Sequence, residues 1–176
     1  GYDFVAYQQD PANPHSLSAD LIRCLAEDQE GSLWIGTDGG GLNRFDRDSG
    51  VFQRFGADSS AGLLLSGDNI NAMVLDSSGC LWVGTENGID RISRDRRKIT
   101  RFLPYPGDAD PGANAILALH LDRSGLLWIG TTSGGLLSCD PASGAFTPYR
   151  HSRGDPHSLS DNEIHSIYED REGSLW

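Results

Sequence analysis

The chain has 176 residues, 38% of them hydrophobic, with 22 Gly and 8 Pro, so it is long enough to bury a core and rich in turn formers. With 14 Lys+Arg against 25 Asp+Glu its formal net charge is −11, which repels phosphate backbones and anionic membrane surfaces and argues against a nucleic-acid partner. No apolar run approaches the roughly 20 residues that cross a bilayer, and GYDFVAYQQD lacks the basic and apolar regions of a signal peptide, so membrane contact is expected only through segments outside this chain.

In chain order, YDFVAYQQ at the start reads as a strand of the same kind as VFQRF and AFTPYR further on. LIRCLAED follows as a first strand, closed by an Asp-x-x-Gly turn in which Asp caps the backbone and Gly takes the left-handed conformation. SLWIGT is the second strand, GLNRFD the third and, after the turn DRDSG, VFQRF the fourth. The same four pieces return as NAMVLD, CLWVGT, GIDRIS and KITRFL, and again as AILALHLD, LLWIGT, GLLSCD and AFTPYR. NEIHSIYED and GSLW then begin a further unit, and no helical periodicity competes with the strands.

The units repeat with a fixed period. Trp34, Trp82, Trp128 and Trp176 are 48, 46 and 48 residues apart. In register with them stand Ile22, Ile70, Ile116 and Ile164, then Asp28, Asp76, Asp122 and Asp170, then Gly31, Gly79, Gly125 and Gly173. The phrase PHSLS occurs twice, at His15 and His157. Four antiparallel strands in a period of this length predict an all-β fold, a β-propeller fragment of four-stranded blades. The expected division is the last strand of a preceding blade at 1–8, blades at 9–55, 56–102 and 103–149, and the start of a further blade at 150–176. Stacked blades bury both faces of their middle strands, so Trp34, Trp82 and Trp128 are expected between sheets. Cys24, Ala72, Ala118 and Ser166, ten before each Trp, are small, as crowded inner strands require.

The string N-x-I, D-x-x-G-x-L-W-I-G-T, G-G-L-x-x-x-D and S-G-x-F resembles the two-component regulator propeller repeat, and the likeness runs through nearly the whole chain. WD-repeat and kelch patterns are absent. The resemblance implies a periplasmic, non-catalytic sensor region, set before a transmembrane helix and a histidine kinase or diguanylate cyclase, that recognises a carbohydrate or another small ligand. The second blade departs from the pattern: its turn ENGID is one residue shorter than DGGGLN, and SRDRRK lacks the Ser-Gly. Two other functions compete. D-x-x-G-x-L-W resembles the Asp-box turns of sialidase propellers, with one more residue between Asp and Trp, but no arginine cluster or Tyr/Glu pair accompanies it. A protein-binding scaffold is the other.

The repeated aspartates read as turn residues and the tryptophans as core. Cys24, Cys80 and Cys139 show no C-x-x-C or Cys/His pattern, so no metal site is expected, and inside a propeller they are inert thiols. His15 and His157 read as loop residues; His120, His151 and His165 have no repeated Ser or Asp partner. No catalytic residues and no cofactor are expected. In a propeller the loops between blades and the loops between second and third strands share the axial face. Those loops hold Asp20, Arg23, Asp68, Asn69, Asn71, Asn114, Asn162 and His165, with Asp38, Glu86, Asn87, Thr132 and Ser133, whose amides, acids and hydroxyls suit a polyol. Three blades leave uncovered apolar faces, and PHSLS shows no capping sequence, so self-association through the terminal blades is expected.

Overall fold

A computed structural model describes residues 4–56 and 64–176. Its strands form three four-stranded antiparallel sheets, each in simple chain order. The first holds β1 (Ile22–Glu27), β2 (Leu33–Thr37), β3 (Leu42–Asp46) and β4 (Val51–Phe55). The second holds β5 (Ile70–Leu75), β6 (Leu81–Thr85), β7 (Gly88–Ile92) and β8 (Ile99–Phe102). The third holds β9 (Ile116–Leu121), β10 (Leu127–Thr131), β11 (Leu136–Cys139) and β12 (Phe146–Tyr149). The one helical element among the described residues is a 3-10 turn, Pro111–Ala113. The fold is all-β, a piece of propeller.

Each first hairpin is made by its Asp and Gly. The Asp28 carboxylate accepts from the amides of Glu30 and Ser32, and its carbonyl accepts from Gly31 N, which sits at φ 80°. Gly79, Gly125 and Gly173 repeat this left-handed geometry at 80°, 88° and 88°, where a Cβ is strained. The second blade closes differently. Where the other closing turns place Gly50 and Gly144 at φ 71° and 70°, SRDRRK places Arg96 at φ 60°.

The core lies between blades. Trp34 is buried in one cluster with Leu42 and Phe55 of its own sheet and Ile70, Leu81, Val83 and Ile92 of the next. Trp82 is buried likewise against Ile116, Leu127 and Ile129 of the third sheet. Trp128 differs from the expectation: it is only half-buried, and Trp176 is 77% exposed, because no complete sheet stands beyond either.

Each of the three later units also keys into the blade before it. Cys24, Ala72 and Ala118 pair across the ladder with Gly36, Gly84 and Gly130. An added Cβ on those glycines would lie 2.7 Å from Cγ2 of Ile70, 2.5 Å from Cγ2 of Ile116 and 2.8 Å from Cγ2 of Ile164. The glycine of L-W-[IV]-G-T therefore makes room for the isoleucine of the following unit.

The two ends depart from the expected strands. Residues 1–3 lie outside the described residues, and residues 4–8 form no strand; Gln9 makes a single parallel bridge to Leu17. Among the described residues no strand pairs with residues 4–8; Tyr7 instead packs edge-on against Phe45 and Phe52, at 4.9 and 5.4 Å. The loop carrying the first PHSLS does cover an end, against the expectation of no cap: Leu17 is buried with Ile35, Phe45 and Phe52 on the outer face of the first blade. Its Arg54 anchor donates to the carbonyls of Asn13, Ser16 and Leu17. At the other end NEIHSIYED and GSLW form no ladder beyond the Glu169–Leu175 bridge, since only Tyr168 and Trp176 exchange both backbone bonds. Ile164 N donates to Thr131 O and holds that segment on the third blade.

Candidate functional site

In each blade the entry loop contacts the loop between the second and third strands, as Arg23 does Asp38, Glu86 does Asn69 and Ser133 does Asp110. A bulge in β1 at Arg23 and another in β5 at Asn71 break the pairing register and re-aim both side chains. Arg23 pairs with Asp38 at 2.7 Å, and Asn71 Nδ2 reaches the next blade, donating to Ile116 O at 2.8 Å.

Most of the expected ligand-binding groups are already bonded within the protein. Asp20, Asn114 and Asn162, at equivalent places, accept from the amides of Gln9, Tyr105 and His151, each closing the loop that enters its blade. Asp68 occupies the same place, and its carbonyl accepts from Gly41 N as Asn162 O accepts from Gly135 N. Glu86 accepts from the amides of Asp68 and Asn69. Asn87 donates to Ser66 O, Thr132 N to Ala115 O, and Ser133 Oγ to an Asp110 carboxylate oxygen. Outward-facing groups remain at Asp20, at the Arg23–Asp38 pair, and at His165, which lies 3.2 Å from Glu163 with its side chain 74% exposed.

The opposite rim carries a motif that the spacing of Asp and Trp hid. The second oxygen of each repeated Asp accepts from the indole of the Trp six residues on: Asp28 from Trp34 at 2.9 Å, Asp76 from Trp82 at 3.0 Å, Asp122 from Trp128 at 2.7 Å, and Asp170 from Trp176 at 2.8 Å. Two of the four also hold an arginine. Arg96 of the second blade reaches Asp28 of the first at 2.6 Å and lies 5.2 Å over the Trp34 ring. Arg91 pairs with Asp76 of its own blade at 2.9 Å and lies 5.0 Å over Trp82. Burial opposes ionisation of Asp28 and Asp76. Donors outweigh it, from Trp34, Ser32 and Arg96 at the first and from Ser78, Trp82 and Cys80 at the second, and hold both carboxyls below their usual range. Held ionised in this way, they are poor proton donors at neutral pH. The sequence signal that could have located Arg96 was the irregular turn RDRRK.

Sequence reading also missed a buried bond set behind the axial loops. Ser66 donates to Asp90, fully buried, and meets Thr85; Ser18, Asn43 and Thr37 repeat the arrangement one blade earlier. The histidines of PHSLS contribute main chain: His15 N and His157 N donate to Asn13 and Asp155. Burial raises the thiols of Cys24 and Cys139 to about 11, so both are protonated at neutral pH. Among the described residues no group of three His, Cys, Asp or Glu could hold a metal ion, and no helix is long and apolar enough to cross a membrane.

The repeat itself decides the family: the two component regulator propeller profile matches residues 16–39, 64–87, 110–133 and 158–176, just over half of the chain. The chain belongs to that family. No curated protein matches the sequence. Among solved structures, it is similar to the extracellular domains attributed to two hybrid two component systems of B. thetaiotaomicron. One is 24% identical with a TM-score of 0.71, over 92% of this chain and 21% of that one. The other is 18% identical with a TM-score of 0.69, over 98% and 27%. An auxiliary nutrient binding protein from Bacteroides ovatus is 12% identical with a TM-score of 0.61, over 88% and 35%. These likenesses concern the fold. The chain spans about a fifth to a third of the structures it resembles.

Proposed function

We propose that this chain is part of the extracytoplasmic, ligand-sensing propeller of a bacterial signal-transduction receptor, either a two-component sensor kinase or a diguanylate cyclase, and that it recognises a carbohydrate or another small ligand without catalysing a reaction. The observation that carries this reading is the family repeat in all four units. Support comes from the two structural neighbours described as extracellular domains of hybrid two component systems, and periplasmic placement is part of the same proposal. The chemistry of the chain supports a non-catalytic role. Its repeated carboxylates serve turns and indoles, and its amides hold loops together.

Self-association belongs to the proposal as well. Phe4, Val5 and Leu25 are 97%, 72% and 59% exposed at one end, and Trp176 is exposed at the other, so apolar surface is left at both ends of the stack. The test of the sensing role is made in cells carrying the full-length receptor. In-frame removal of residues 1–176 should abolish the transcriptional response to an added saccharide, and a response that survives the deletion overturns the reading.

A further inference from the structure

We propose that the rim cleft between the second and third blades is the binding site for a neutral saccharide unit, an inference that rests on the carbohydrate reading above. The cleft has a volume of about 390 Å³ and lies among the Asp-x-x-Gly turns of both blades, Arg91, and the closing turn of the third blade. That volume falls in the ordinary range of small-ligand sites.

At the equivalent position between the first and second blades the protein places one of its own side chains. Arg96, set by its left-handed backbone, lies between Trp34, Asp28 and Glu30, with its side chain only 14% exposed. The corresponding turn of the third blade is Asp140-Pro141-Ala142-Ser143-Gly144, which has no long side chain to send back. Arg91 takes over the carboxylate and the indole of the second blade, donating also to Pro141 O at 3.2 Å, and the space beside it stays open. The cleft lies between two complete four-stranded blades. A second cleft, about 380 Å³ over Trp128 and Tyr149, is different in kind. It matches the space that Val83 and Ile92 fill over Trp34 and Phe55, and so corresponds to blade core.

The lining specifies the ligand. One Asp140 carboxylate oxygen accepts from Ala142 N, and among the described residues neither the other oxygen nor the Ser77 hydroxyl has a hydrogen-bond partner. Together with the guanidinium of Arg91, they offer donors and acceptors at once, the mixture that pairs with vicinal hydroxyls. Leu121, Pro141 and Ala142 supply an apolar wall for the C–H face of a sugar ring. Arg91 is already neutralised by Asp76, so Asp140 leaves the cleft negative and disfavours uronates. The axial loops, by contrast, spend most of their polar groups on one another.

The experiment is a titration of the isotopically labelled chain, followed through its backbone amide resonances, with D-glucose, D-xylose, maltose, cellobiose and D-galacturonate. The expected result is that at least one neutral sugar shifts the amides of residues 76–78, 124–125 and 140–142 while galacturonate does not. Ala142→Trp, at an exposed position, should remove those shifts, and Asp140→Asn should weaken binding roughly tenfold by loss of a charge-assisted acceptor. Shifts confined to the axial loops, a galacturonate preference, or unchanged affinity in both variants would overturn this site while leaving a carbohydrate receptor. No shift with any sugar would overturn both this site and the carbohydrate reading it rests on.

Discussion

Arg96 of the second blade and Asp28 of the first form a buried bond across the blade boundary, 2.6 Å long, with side chains 14% and 1% exposed. Removing one partner of such a pair leaves the other charged and poorly solvated. Arg96→Ala should therefore destabilise the chain by about 3 kcal/mol, seen as a lower urea midpoint with an unchanged slope. Arg97→Ala, an exposed neighbour, should change it by less than about 0.5 kcal/mol. Equal effects of the two substitutions would contradict the role given to Arg96.

Gly84 supports a second prediction. A methyl group there would meet Cγ2 of Ile116 at 2.5 Å, inside the ladder and between two buried sheets. Gly84→Ala should cost about 1–3 kcal/mol by overpacking, and Ile116→Val in the same chain should recover part of it. By the same logic Trp82→Ala, which empties the centre of the second core, should cost about 3–5 kcal/mol. A Gly84→Ala chain as stable as the parent would mean that the blades are not keyed in this way.

Acid should weaken the fold in a defined window. The carboxyls of Asp28, Asp76 and Asp122 are lowered in the folded state, burial opposing and the donors from Trp, Ser and turn amides prevailing. A lowered folded pKa gives stability that is complete above the unfolded value, about 3.9, and lost as pH falls through the folded one. The urea midpoint should therefore be flat from neutral pH down to about 4.5 and fall below about 4, with a shallower fall in Asp76→Asn. An Asp76→Asn chain with the parent's acid dependence would remove Asp76 from the account.

The apolar side chains left exposed at the two ends, Phe4, Val5 and Leu25 at one and Trp176 at the other, lead to a prediction about assembly. Size-exclusion chromatography with light scattering should show concentration-dependent association of the chain, weakened by Leu25→Lys on the exposed face of the first blade. A monomer at high concentration, with native Trp fluorescence, would contradict it.

The strands were legible in the sequence because a period of four hairpin-linked pieces leaves few alternatives, and the glycine of each Asp-x-x-Gly turn sits where its φ requires it. Other features depend on neighbours that a repeat alignment does not supply. Spacing placed Trp34, Trp82 and Trp128 alike, yet Trp128 is only half-buried because a complete sheet is needed on its far side. The bonding of the axial-loop residues likewise depends on contacts such as Asn71 with Ile116 O, across 45 residues of chain. Arg96 was visible only as an irregularity, since its partner lies 68 residues away in another blade.

The proposed propeller binds a saccharide and does not turn it over. One-dimensional proton spectra of the saccharide panel, recorded with the unlabelled chain under saturation transfer and again after a day, read both halves at once. Transfer to at least one sugar, with its anomeric integrals unchanged, is expected. The appearance of new anomeric signals that vanish when a single carboxylate is replaced, or the absence of transfer to every sugar, would contradict it.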